Sequence, residues 1–112
     1  MRLALLSLAL LATPVAAQTQ QSLNTQAAVD HRRADALLNA QYRTTMAQAR
    51  RAGGRSASLL LVSQRAWLKY RDAECGRSAA QYEGGSMQPM QHSACLAQLT
   101  RLRTRELKGD PR

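Results

Sequence analysis

The chain has 112 residues, 16 of them basic and 7 acidic, for a formal charge of +9, with one tryptophan, three tyrosines and no phenylalanine. That length admits one small domain and excludes a second core. The basic excess favours anionic partners such as lipid headgroups, envelope polymers or acidic protein surfaces, and disfavours basic ones.

Taken in chain order, Met1-Arg2 precedes the apolar run 3–12 and the small-residue stretch Thr13-Pro14-Val15-Ala16-Ala17. A run of this length is too short for a bilayer, which needs about 20 apolar residues. It reads as a signal peptide, residues 1–17, cleaved after Ala17. No cysteine follows the cleavage site to carry a lipid, so a periplasmic or secreted protein is expected, soluble after export. Cleavage removes Arg2 and lowers the charge to +8. Export argues against a nucleic-acid partner, and no later apolar run suggests a transmembrane segment. Residues 18–26 are polar and low in complexity, and read as a flexible leader before a domain at 27–109 and a short tail at 110–112.

Three helices are expected within that domain, at about 27–52, 56–82 and 89–108. In the first, Ala34, Leu38, Tyr42, Thr45 or Met46, and Ala49 recur at helical spacing until Gly53-Gly54 stops it. Ser56 is the expected N-cap of the second, whose stripe is Leu60, Ser63 or Gln64, Trp67, Arg71, and Glu74 or Cys75. The segment from Tyr82 to Gln88 breaks the pattern as a loop. Pro89 suits the first turn of the third helix, with Ala94 or Cys95, Leu99, Leu102 and Leu107 as its stripe. The fold class is therefore all-α, a small bundle of three amphipathic helices that pack on one another.

Cys75 and Cys95 are the only cysteines. In an exported chain such a pair is normally a disulfide. Each lies roughly six residues from the turn between the second and third helices, or about 9–10 Å along its helix axis. In an antiparallel hairpin the two therefore stand at matching heights, as a disulfide requires.

The blocks Leu38-Asn39-x-x-Tyr42, Gln64-Arg65-Ala66-Trp67-x-x-Tyr70-Arg71-Asp72-x-Glu74-Cys75, Glu83-Gly84-Gly85-Ser86 and Cys95-Leu96-x-x-Leu99-Thr100-x-x-Arg103-x-x-Glu106-Leu107 resemble the lysozyme inhibitor LprI-like N-terminal domain family. The likeness spans about residues 30–108. It implies a small secreted helical domain with a disulfide, and structural signature positions at Leu38, Asn39, Tyr42, Gln64, Trp67, Arg71, Glu74, Thr100 and Arg103. It also implies lysozyme, or another envelope protein, as a partner. Two departures stand out. Many members carry a second cysteine pair before the first block, and the member that names the family is a lipoprotein; this chain has neither feature.

Each motif has a plain structural reading. Trp67 and Cys75 share a helix face, which places the tryptophan beside the disulfide in the core; a partner-anchoring tryptophan is the alternative. Arg71/Glu74 and Arg103/Glu106 repeat one spacing on facing helices, as an inter-helix charge network would. A catalytic carboxylate pair lacks a nucleophile or base beside it. His31, His92 and the cysteines lack the paired short spacings of a zinc site, and no Cys-x-x-Cys supports redox chemistry. No enzyme, metal or cofactor is expected. The segment Glu83–His92 offers candidate partner contacts at Glu83, Gly84, Gly85, Ser86, Met87, Met90 and His92. Two functions follow: a lysozyme-binding inhibitor, or an envelope accessory protein whose arginine-rich helix faces bind anionic cell-wall or membrane polymers.

Overall fold

Thr19 opens the first helix: its side chain accepts a hydrogen bond from the Ser22 N–H at 3.0 Å, satisfying one of the donors every helix start leaves free. The computed structural model describes residues 19–109. Helix α1 runs Gln20–Ala52 and stops at Gly53, whose φ of 75° only glycine adopts readily and whose N–H bonds the carbonyls of Ala49 and Arg50. The expected flexible leader is thus corrected from Gln20 onward. The Thr19 cap starts the helix, and its first turns are tied to distant residues, Gln20 to Met90 Sδ (3.7 Å) and Asn24 to the Ser86 carbonyl of the loop before it (3.0 Å). The expected signal peptide, Gln18 of the leader and the tail 110–112 lie outside the described residues.

Helix α2 spans Ser56–Ala80 and α3 spans Gln88–Lys108. Ser56 is the first helical residue rather than the cap; Arg55 holds the cap position without a side-chain bond, and Ser58 Oγ donates to the Arg55 carbonyl. Pro89 sits in the first turn of α3, and Gly109, at a left-handed φ of 82°, ends it.

Helix α3 is the central element. It packs most extensively on α1, less on α2, and α1 meets α2 least. The α1–α3 pair is parallel, with Gln20 at Met90 near one end and Thr45 Oγ1 donating to the Leu107 carbonyl near the other. The α2–α3 pair is antiparallel, with Cys75 at Cys95, Arg71 at Thr100 and Gln64 at Arg103. The disulfide joins α2 to α3 across a Cα–Cα distance of 5.5 Å, as the matched heights predict.

Ala34, Leu38 and Met46 form the α1 side of the core, as their spacing predicts, and Cys75 and Ala79 the α2 side. The α3 stripe is shifted from expectation. Leu96, Ala97 and Thr100 are buried, while Leu99, Leu102 and Leu107 are only half-buried and Ala94 is exposed. The shift follows from α3 being clasped on two sides, so its most enclosed line faces the seam between α1 and α2. Among the described residues there is no strand, and no helix is long and apolar enough to cross a membrane.

Candidate functional site

Two constellations stand out, one at the hairpin turn and one around Trp67. The turn between α2 and α3 is built from successive tight backbone bonds: Gly85 N–H to the Tyr82 carbonyl at 2.9 Å and Gln88 N–H to the Gly85 carbonyl at 3.3 Å. Gly84 takes a φ of 78° and so admits the reversal. Glu83, Gly84, Gly85, Ser86 and Met87 are all exposed. Three ties hold this turn: the disulfide behind it, the helices that end on it, and Asn24 of α1, whose Nδ2 donates to the Ser86 carbonyl.

Met90 and His92 do not join that exposed turn. Both are half-buried; Met90 Sδ accepts from Gln20, and His92 borders a hollow with Gly76, Ala79 and Pro89. His92 also interacts electrostatically with His31 of α1. His31 Nε2 is enclosed without a hydrogen-bond partner, and burial, then the nearby Arg71 charge, lower its pKa from the ordinary value near 6.5.

The second constellation is a guanidinium clasp. Trp67 is half-buried between α2 and α3, with the Arg71 and Arg103 guanidinium carbons 5.4 and 5.8 Å from its ring centroid. Arg71 donates to Asp35 of α1 (3.4 Å), Asp72 (3.0 Å) and Thr100 Oγ1 of α3 (3.3 Å), so one side chain links all three helices. Arg103 donates from Nε to Gln64 (2.9 Å), and from its two terminal nitrogens to Ser63 (2.8 Å) and Glu106 (3.1 Å).

The network thus differs from two facing Arg/Glu pairs. Arg103 and Glu106 do pair, but Glu74 binds Arg77 on its own helix, and that bond lowers the Glu74 pKa. Trp67 lines a groove of about 620 Å³ with Tyr70, Leu99, Leu102, Arg103 and Glu106, rather than filling the core beside the disulfide. Among the other signature residues Leu38, Gln64 and Thr100 are buried, Tyr42 is half-buried and Asn39 is exposed.

Asn24, Asp35 and Ser63 are the partners that motif reading missed. Asp35 carried a usable signal, an acid beside Ala34 on the buried face of α1. Asn24 and Ser63 carried none, because their roles arise only from long-range contacts. Asp30 similarly pairs with Arg101 of α3. Among the described residues no group of three or more His, Cys, Asp or Glu is placed to hold a metal.

A protein-family model described as lysozyme inhibitor LprI matches residues 12–107. An uncharacterized protein of Rhizobium meliloti (strain 1021) is 44% identical over 104 residues, covering 82% of this chain and 73% of that protein. No solved structure matches. With a match across nearly all of its length, and the helices and disulfide already in place, the chain belongs to the lysozyme inhibitor LprI family.

Proposed function

We propose that the protein is an exported, non-enzymatic inhibitor of lysozyme that presents the turn Glu83–Met87 to its target. The family match supports the target class. The observation that carries the surface is the bracing of one exposed turn from both sides, by the Cys75–Cys95 disulfide and by the Asn24–Ser86 bond. A braced turn loses little conformational freedom on binding, which favours affinity. Lysozyme cleaves with two carboxyl groups in a cleft. The Gly84, Ser86 and Met87 N–H groups, which make no backbone bond among the described residues, and the Ser86 hydroxyl are the donors this turn offers to those carboxyls, with the exposed Glu83 carboxylate at its edge opposing them.

Residual muramidase activity, measured with lysozymes of several classes over a range of salt, tests this reading. Stoichiometric inhibition is expected, weakened at least about tenfold when Ser86→Asp places a charge opposite the cleft carboxylates. Full activity of every lysozyme in the presence of excess folded protein overturns it. The N-terminus of exported protein, expected at Gln18, is read by intact mass.

A further inference from the structure

Helix α2 is apolar on the side turned away from the rest of the molecule. Its inward line is Gln64, Cys75 and Ala79, all buried. On the opposite side, Leu59, Val62, Ala66, Tyr70 and Ala73 recur at three- and four-residue spacing, and every one is exposed. Leu59, Val62 and Tyr70 are 51%, 63% and 56% accessible. Ala66 and Tyr70 also edge the groove beside Trp67, but nothing within the described structure covers the exposed side chains of Leu59 and Val62.

From Leu59 to Tyr70 the charges that α2 itself carries around the stripe are all positive, and Asp72 and Glu74 flank only its last position, Ala73. No acidic residue occurs between Asp35 and Asp72, whereas seven basic residues do. Arg55, Arg65 and Lys69 border or interrupt the stripe. Among the described residues the ion pairs engage Arg71, Arg77, Arg101 and Arg103, so these three cations have none.

We propose that α2 docks through this outward face on an anionic phospholipid surface. The face offers what a charged bilayer takes: aliphatic side chains for the boundary between headgroups and acyl chains, a tyrosine for the headgroup level, and long cationic side chains that reach lipid phosphates. A soluble polyanion would use the cations and leave Leu59 and Val62 in water. A second copy of the chain would bring the same cations face to face. The docking deepens the expectation of arginine-rich faces binding anionic envelope material, and it does not depend on lysozyme inhibition, which is assayed without lipid.

The test is vesicle flotation with protein purified from the periplasm of an expressing bacterium. Vesicles of phosphatidylglycerol mixed with phosphatidylcholine are compared with phosphatidylcholine alone. Binding to the anionic vesicles is expected, at least about tenfold stronger than to neutral ones and falling as salt rises. The exposed double variant Leu59→Ser/Val62→Ser and the triple variant Arg55→Ser/Arg65→Ser/Lys69→Ser should each lose at least about tenfold while melting like the parent protein. No flotation at low salt overturns the proposal. Unchanged flotation of Leu59→Ser/Val62→Ser overturns it in favour of simple polyanion binding. A dimer that this double variant converts to monomer overturns it in favour of self-association.

Discussion

Arg71 is the residue through which the three helices communicate. Its side chain is 11% exposed and bonds Asp35 of α1, Asp72 of α2 and Thr100 of α3 while lying against Trp67. Thr100 is fully buried, so Arg71→Ala strips its hydroxyl of that donor and leaves Asp35 without its counter-ion. A loss of about 2 kcal/mol is expected, read as a lower urea midpoint with unchanged slope. Arg71→Lys should recover only part of it, since an ammonium cannot reproduce a planar fork that also stacks on tryptophan.

His31 supplies a pH dependence at the same scale. Burial and Arg71 oppose its protonation in the folded chain, with His92 adding to them and Asp35 and Asp72 acting the other way. The unfolded chain binds a proton near the ordinary value of 6.5, and the folded chain only at lower pH. Between those two values the unfolded state holds more protons, so stability falls as pH drops below about 6.5 and levels once the folded site also protonates. Melting curves from neutral to mildly acidic pH should show that decline, and His31→Leu should flatten it. The Glu74 carboxyl, whose pKa is lowered by Arg77, changes charge only in more acidic solution.

At the scale of elements, the α2–α3 hairpin depends on its crosslink. The cysteines are 20 residues apart, and closing a loop of that size stabilises by roughly 3 kcal/mol on the chain-entropy model. Reduction, or Cys75→Ala with Cys95→Ala, should therefore lower the melting temperature of this small domain by ten degrees or more, on the order of 4–8 °C per kcal/mol. Inhibition should fall with it, because the turn loses one of its braces. The hairpin was legible in the sequence because local signals define it: two cysteines equidistant from a glycine-containing break, and a proline placed to start a helix. The start of α1 was not, because glutamine-rich segments carry weak local preference and the Gln20 and Asn24 contacts come from residues more than 60 positions away. The α3 core line was misread for a related reason. Thr100 looks polar in sequence, and only Arg71 arriving from α2 makes its burial acceptable. The outward face of α2 was hidden because the helix is apolar on both sides, so searching for one stripe found only the inner one.

At the scale of the whole molecule, charge sets how the two proposed surfaces respond to salt. The chain carries +9, or +8 without Arg2, and its acids are concentrated outside the stretch between Asp35 and Asp72. Against a lysozyme of net positive charge, the long-range force is repulsive even where the contact patch is complementary. Added salt screens that repulsion over about 10 Å at 0.1 M, so the association rate should rise with salt until local attraction is screened too. Against an acidic lysozyme the rate should fall from the outset. Docking of α2 on anionic vesicles should likewise weaken monotonically, because attraction there acts at every distance. Stopped-flow association with lysozymes of opposite net charge, set beside vesicle flotation in the same buffers, separates these cases. A rate with a basic lysozyme that falls steadily from low salt would mean that a local acidic patch, rather than net charge, governs the encounter. The inhibitory surface would then have to include unpaired arginines in addition to the Glu83–Met87 turn.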